Sequence, residues 1–408
     1  THRDDRVQRK SNEKMSTVTP SAIIRVNRKA ATRVDAGHLW IYKSDLERPE
    51  DLEPGATVEV RDFRGRFLGR AFYSSMSQIA LRLLTTSETE TVDEAFFRKK
   101  ICAAAQRREP LPQGTEACRL VNAEGDGLPS IVIDRFVDTL VFQTLSQGAE
   151  KVKPWLQNIL KEEFHPRGLV ERNDVGIREL EGLELTCGLV CGEVPEEIIY
   201  HENGIRFIAR LLEGQKTGTF LDQRENHLMV RRYARGVALD CFTYAGGFAL
   251  NLARSCEHVL AIDSSASAVE LGERNAQLNG VKNVQFKEAN VFDELKALDT
   301  MKARFDTIVL DPPAFAKKRT NLGNAMRGYK EINLRAMKML APGGILLSCS
   351  CSQHVSEIDF LNLLAEAAAD AHRQFAVIEK RTQSSDHPFL LSMPETLYLK
   401  CVVLRALE

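Results

Sequence analysis

"VALDCFTYAGGFALNLA", residues 237–253, reads as a buried strand, a tight loop and the start of a helix. The apolar run ends in Asp240, the loop closes on Gly246 and Gly247, and the helix opens near Phe248. Paired glycines let a ligand approach the backbone closely, yet the spacing is neither the GxGxxG dinucleotide fingerprint nor a P-loop. The flanking text repeats the same grammar. Strands are expected at 237–240, 259–263, 284–286, 305–310 and 345–350, with helices between them such as 265–278 and 329–340. Strands alternating with helices predict an α/β, doubly wound parallel sheet, which binds ligands beyond the carboxyl ends of its strands.

Outward from this unit, the chain divides further. At 408 residues it exceeds what one hydrophobic core serves, about 250 to 300 residues. Residues 1–20 are polar and expected to be a flexible tail, with Met15 the expected native start. Residues 21–90 contain short alternating pieces such as "TVEVRDF" and "FLGRAFYSS" and read as a small β-rich domain. Residues 91–208 open with the helical "VDEAFFRKKICAAAQRRE" and continue as strands, an amphipathic run at 150–164 and more strands, a central α+β domain. Residues 209–408 hold the doubly wound unit.

Composition narrows the function classes. With 43% hydrophobic and 27% charged residues and a net charge of −1, any nucleic-acid contact must use local patches rather than overall charge. Nine cysteines without CxxC spacing suggest neither a disulfide framework nor a zinc site, and point to a reducing cytoplasm without a metal. No apolar run approaches the roughly 18 residues of a membrane span.

Three constellations carry chemistry. Asp240 with its glycine loop, followed about 20 residues on by Asp263 at the next strand end, provides close backbone approach and an acceptor for ribose hydroxyls. An acidic loop suits a cofactor with a positive sulfonium and no pyrophosphate, so S-adenosyl-L-methionine is expected rather than NAD. "FDTIVLDPPAFAKK", residues 305–318, delivers Asp311, Pro312, Pro313 and Phe315 at a strand end. Two prolines cannot continue a strand and fix a stiff turn, so Asp311 is held where a planar base could hydrogen-bond and Phe315 is available to stack or wall the pocket.

The third is "GGILLSCSCSQ", residues 343–353. Positions two apart on a strand face the same way, so Cys349 should sit deeper and Cys351 nearer the exit. Lone cysteines are mostly inert core residues. Beside a base-binding Asp, however, Cys351 reads as a nucleophile. Carbon 5 of a pyrimidine attacks a methyl donor poorly until a thiolate adds to carbon 6, which makes carbon 5 an enamine carbon. Methylation of an exocyclic amine needs no thiol, so Cys351 decides the reaction type. Base-nitrogen methylation and a non-catalytic RNA-binding assembly factor are the rival readings.

The chain from about Ser21 onward resembles the ribosomal RNA large subunit methyltransferase I family, most densely in "GQKTGTFLDQR", "DCFTYAGGFA", "LDPPAFAK", "SCSCS" and "SDHPFLLSMPETLYLK". The resemblance implies an N-terminal PUA RNA-binding domain, a central α+β domain, a Rossmann-like class I methyltransferase domain, a possible homodimer and 5-methylcytosine formation in 23S rRNA. It implies Cys351 as the catalytic cysteine, whereas other RNA cytosine methyltransferases carry one after the motif's proline, where this chain has Ala314. It further implies Gln223 and Arg224 near the cofactor, Asp240, Phe242, Tyr244 and Gly246 in the donor loop, and Asp263 at the ribose. Asn290 stands where the family commonly has an Asp at the adenine amine, and keeps an acceptor oxygen. Pro312, Phe315 and Lys317 are expected on the substrate side, and His387 and Lys317 are candidates for the carbon 5 proton. Arg25, Arg28, Lys29, Arg33, Lys317, Lys318 and Arg319 are candidate phosphate contacts or simply solvated charges.

Overall fold

The computed structural model describes residues 22–47, 52–214, 216–315 and 321–407. The expected tail at 1–20 with Met15, and the candidates Lys317, Lys318 and Arg319, lie outside the described residues.

The N-terminal unit is a six-stranded sheet in the order Trp40–Tyr42, Ile79–Thr85, Phe67–Tyr73, Thr57–Asp62, Ile23–Val26, Leu46–Glu47. It also contains a helix, Arg28–Asp35, that the β-rich reading did not anticipate. Asn27 caps it by accepting from the Ala30 backbone N–H at 2.9 Å, and Ala30, Ala31 and Val34 form its narrow buried face. Two alanines and a valine are too faint a period to distinguish from strand alternation.

A second sheet of five strands follows, in the order Cys187–Gly192, Gly168–Arg172, Thr139–Thr144, Ile131–Phe136, Ala117–Asn122. Helices Glu94–Gln106 and Lys153–Phe164 cover it through Phe97, Ile101, Leu156 and Ile159. The amphipathic run expected at 150–164 is two helices, because the chain breaks at Val152 and restarts with Pro154 in the first turn. The hairpin Ile198–Glu202 with Ile205–Ala209 leads into the last unit.

That unit is a seven-stranded sheet in the order Val284–Glu288, His258–Asp263, Val237–Cys241, Phe305–Leu310, Leu340–Ser350, Lys400–Ala406, Phe375–Arg381. The first five are parallel, and the last two pair antiparallel. Helices Val291–Thr300, Leu322–Met339 and Glu357–Asp370 pack on one face, and Arg224–Val230, Gly247–Leu252 and Ala266–Leu278 on the other. The strand order reverses between Val237–Cys241 and Phe305–Leu310, so the ends of these two strands diverge and open a crevice. The antiparallel pair was not among the expected strands. Lys400–Ala406 slots between two earlier strands, a placement set by long-range pairing rather than local pattern.

Candidate active site

Every element around the crevice ends there for a local reason. Strand Val237–Cys241 is buried through to Asp240, and the loop after it takes left-handed backbone angles at Phe242 (φ +66°), Tyr244 (φ +46°) and Gly246 (φ +84°). Two of these carry side chains, a strain that persists only where surroundings over-determine it. Two carboxylates do so. Asp240 Oδ2 accepts from the Thr243 hydroxyl at 2.6 Å, and Asp263 Oδ2 accepts from the Tyr244 backbone N–H at 2.9 Å. At Gly246 a side chain would also meet the Phe286 ring at 3.0 Å.

Asp240 keeps its second oxygen buried and without a hydrogen-bond partner among the described residues. Burial, and then the negative charge of Asp311, pushes its pKa up to about 7. Burial likewise pushes Asp311 up to about 6. Gln223 Nε2 donates to Asp311 Oδ1 at 2.9 Å, and Gln223 is itself oriented by Asn226, whose Nδ2 donates to its Oε1 at 2.7 Å. Two carboxylates destabilised as anions, one with an unused acceptor, fit a cationic ligand, and S-adenosylmethionine carries a sulfonium and an ammonium.

The sequence reading missed the imidazole behind this loop. His227 is buried, its Nδ1 lies 2.7 Å from Glu202 Oε1, and a side chain at Gly247 would stand 2.6 Å from its Nε2. Burial alone would lower the His227 pKa, but the Glu202 carboxylate outweighs it and the net shift is upward. His227 and Glu202 stand 25 residues apart without a motif, and one sequence offered no signal to join them.

Across the crevice, Asp311 leaves strand Phe305–Leu310 and Pro312 is buried behind it. Phe315 packs 4.6 Å from the Tyr329 ring, 5.8 Å from Phe292 and 6.3 Å from Phe242, so it forms one side of an aromatic wall. Cys351 follows the end of strand Leu340–Ser350, half-buried, with Sγ 3.7 Å from the Pro312 carbonyl oxygen. Cys349 is fully buried and pairs in register with Cys401. Burial, and then Asp311, pushes the Cys351 thiol up to about 11, against the pull of Lys216 and Lys400.

Two further groups were absent from the sequence reading. Asp222 accepts from Lys216 at 3.0 Å and from the Tyr398 hydroxyl at 2.8 Å. Lys400 is buried and donates to the carbonyls of Ser352 and Tyr398. All four lie inside the two stretches "GQKTGTFLDQR" and "SDHPFLLSMPETLYLK", whose density of polar groups was the available signal.

Some expected site residues go elsewhere. Arg224 is buried with its guanidinium 3.3 Å from Asp386 in the seam with the central domain, not in the Asp240–Asp263 cradle. His387 is buried 3.0 Å from Asp386 and also lies within electrostatic reach of Asp222, behind the mouth rather than in the cradle. Asn290 is at the cradle's rim, but its Oδ1 caps helix Val291–Thr300, accepting from Phe292 at 3.0 Å and Asp293 at 3.3 Å. Its Nδ2, a donor, is therefore the group left to face a ligand. In the N-terminal domain Arg25, Arg28 and Lys29 are exposed, while Arg33 is spent on Asp45.

A long segment, residues 382–400, ties this site to the rest of the molecule. Ser384 donates from its backbone N–H to the Asp222 carbonyl at 2.8 Å, and Arg108 donates to the Asp386 carbonyl at 2.9 Å. Asn122 donates to the Pro388 carbonyl at 2.9 Å, and Ser392 to that of Gly37 at 2.8 Å. Among the described residues no cluster of His, Cys, Asp and Glu could hold a metal ion, and no helix is long and apolar enough to cross a membrane.

Comparison with known proteins agrees with the crevice. Residues 24–86 match a PUA-like domain, and residues 179–395, over half of the chain, match an S-adenosylmethionine-dependent methyltransferase. Two solved structures share the fold over 94% of this chain and 100% of their own at 19% identity. They are SMU.776 complexed with SAH (TM-score 0.83) and a SAM-dependent methyltransferase from Streptococcus mutans (TM-score 0.82). With a Rossmann-like class I sheet and a cradle suited to a cationic donor, the chain is an S-adenosylmethionine-dependent methyltransferase carrying a PUA-like domain. Two relatives are closer in sequence, from Yersinia pseudotuberculosis serotype O:1b (strain IP 31758) and Yersinia pestis bv. Antiqua (strain Angola). Each is 40% identical over 89% of this chain and 94% of its own length, and each is named ribosomal RNA large subunit methyltransferase I. The chain belongs to that family.

Proposed function

We propose that the chain methylates carbon 5 of a cytosine in 23S ribosomal RNA, with Cys351 as the covalent nucleophile. The observation that carries the reading is the convergence of Cys351 Sγ and the Asp311–Pro312 turn at one mouth, 3.7 Å from Sγ to the Pro312 carbonyl. A thiol is superfluous for a base-nitrogen transfer and necessary for carbon 5.

S-adenosylmethionine, when bound, supplies the methyl group from its sulfonium. Asp240 and Asp263, with the backbone at Phe242, Tyr244 and Gly246, would hold it, and Asn290 would offer its Nδ2 to the adenine. Asp311 accepts from the exocyclic amine of the cytosine and places the ring, backed by Pro312 and walled by Phe315. The Cys351 thiolate adds to carbon 6, and the electron pair of the 5,6 double bond moves to carbon 5, which takes the methyl group. A base then removes the carbon 5 proton, the sulfur–carbon 6 bond breaks, and its pair returns to sulfur. Arg25, Arg28 and Lys29 of the PUA-like domain are exposed and could hold phosphates at a distance. The cytoplasm, where ribosomes assemble, is the compartment this reading entails.

The test is nucleoside mass spectrometry of 23S rRNA incubated with the protein and donor. The expected product is 5-methylcytosine, and its replacement by a base-nitrogen product would reject the reading. Cys351→Ala is expected to bind S-adenosylmethionine normally and to lose transfer by at least about 10³-fold; retained turnover removes the covalent step.

A further inference from the structure

Cys351 as a resting thiol is a poor nucleophile, because only the thiolate attacks and burial beside Asp311 opposes ionisation. The charged and titratable groups that act on it electrostatically come from five places. Asp311 follows strand Phe305–Leu310, Asp222 and Lys216 come from the segment before helix Arg224–Val230, Tyr329 lies on helix Leu322–Met339, Tyr398 belongs to the 382–400 segment, and Lys400 opens the neighbouring strand. Two of the six are cations, and they are not equivalent. Lys216 is exposed and already neutralised by Asp222 at 3.0 Å.

Lys400 differs in every respect. Its backbone stands in register opposite Ser350, one residue before Cys351. It is only 6% exposed. Its ammonium donates to the carbonyl of Ser352, the residue after Cys351, at 2.7 Å and to that of Tyr398 at 2.8 Å. An ammonium has three N–H groups, and among the described residues neither a third acceptor nor a carboxylate meets this one. A buried cation without a counter-ion bears an uncompensated desolvation penalty. The one ionisable group that holds this cation's pKa up against burial is Cys351, and burial still draws it down to about 8.

We propose that Lys400 is the positioning residue of the nucleophile: its ammonium is the missing counter-charge of a Cys351 thiolate. The inference rests on the reading of Cys351 as the attacking group. Each partner supplies what the other lacks, since the thiolate neutralises a buried cation and the cation offsets Asp311. In the resting state the thiol keeps its proton, and the proton leaves to solvent as the thiolate forms. When sulfur bonds to carbon 6, the negative charge passes to the ring and Lys400 remains an ammonium throughout. The Ser352 and Tyr398 carbonyls could be met by any neutral donor, whereas a lysine adds beside them the positive charge that a thiolate at Cys351 needs.

The experiment compares Lys400→Met, Lys400→Arg and the unaltered full chain. Iodoacetamide labelling of Cys351 is followed against pH by peptide mass spectrometry, with exposed Cys187 as internal reference. Lys400→Met should bind S-adenosylmethionine as the unaltered chain does, which reports that it folds. It should label Cys351 about tenfold more slowly at pH 7.5, with a midpoint about one unit higher and unchanged Cys187 labelling. Lys400→Arg, which keeps the charge, should recover most of the loss. Equal Cys351 labelling and an equal midpoint in Lys400→Met overturn the proposal, as does a Cys187 change of the same size. Cys351→Ala is assayed in parallel: if it still transfers methyl groups, the covalent reading fails, while the labelling comparison still decides whether Lys400 governs the thiol.

Discussion

Gln223 Nε2 donates to Asp311 Oδ1 across 2.9 Å, joining the segment ahead of the doubly wound sheet to the end of its fourth strand. The bond favours the charged carboxylate against a burial that has raised Asp311 to about 6. Hydrogen bonds to charged groups contribute about 1.5–3 kcal/mol, and one pKa unit corresponds to about 1.4 kcal/mol. Gln223→Ala should therefore raise the Asp311 pKa further and move the acid limb of kcat/KM upward by about one unit. Activity should fall about fivefold at pH 6 and much less at pH 8.5. A pH–rate profile checks it, and a uniform loss at every pH would assign Gln223 a purely structural part.

Asp240 makes the opposite trade, weakening the fold to create an acceptor. Its folded pKa, about 7, lies above the unfolded value of 3.8, so the folded state holds its proton more tightly. Stability from this group is intact below pH 4 and is lost as pH rises through 7. A shift of that size is worth about 4 kcal/mol, from which an unpaired amide donor in Asp240→Asn subtracts about 1–3 kcal/mol. We expect Asp240→Asn to gain about 1–3 kcal/mol at pH 8, to gain nothing at pH 4, and to bind S-adenosylmethionine at least tenfold more weakly. Denaturant titration at the two pH values and calorimetry measure the two effects.

The Glu202–His227 pair has the same pH sense, here because a cation gains a partner rather than because an acid is buried. A histidine whose folded pKa is raised contributes stability that is full below its unfolded value near 6.5 and fades as pH rises through the folded value. Glu202→Gln should cost about 1–3 kcal/mol at pH 6 and progressively less at high pH. Because His227 backs Gly247, cofactor affinity should fall with the same pH trend, which fluorescence titration would follow.

Asp386 is the sole carboxylate within 3.5 Å of the buried Arg224 guanidinium among the described residues, and it also accepts from the Arg119 backbone at 3.0 Å. Removing one partner of a buried ion pair costs about 3–5 kcal/mol, whereas replacing the cation by an apolar group of similar volume costs less. Asp386→Ala should therefore destabilise the chain by about 3–5 kcal/mol and more than Arg224→Met does. Equal losses in chemical denaturation would show that the seam carries little charge–charge energy.

Legibility followed the range of the interaction. Strand Phe305–Leu310 and helix Ala266–Leu278 were readable because apolar period and boundary residues are local. Strand Leu340–Ser350 begins five residues before the expected 345, since Leu340 already pairs with Phe305 and residues 341–344 bulge out before the ladder resumes at Ile345 opposite Thr307. Strand Lys400–Ala406 was unread because its place between two earlier strands is set by long-range pairing. At the site, Asp240, Asp311 and Cys351 stand at strand ends, where position alone betrays them. Glu202, His227, Asp222, Tyr398 and Lys400 act through partners 25 to 176 residues away. Arg224 shows the converse, because a motif neighbour of Gln223 points its side chain out of the site.

The position of strand Lys400–Ala406 has a consequence for synthesis. It wedges between two strands made earlier, so until the ribosome has released it, Phe375–Arg381 lacks its neighbour in the sheet and Leu340–Ser350 is left with one open edge. A nascent chain, or one cut short before this strand, thus exposes unpaired backbone on an apolar strand and lacks the residue that stands opposite Ser350.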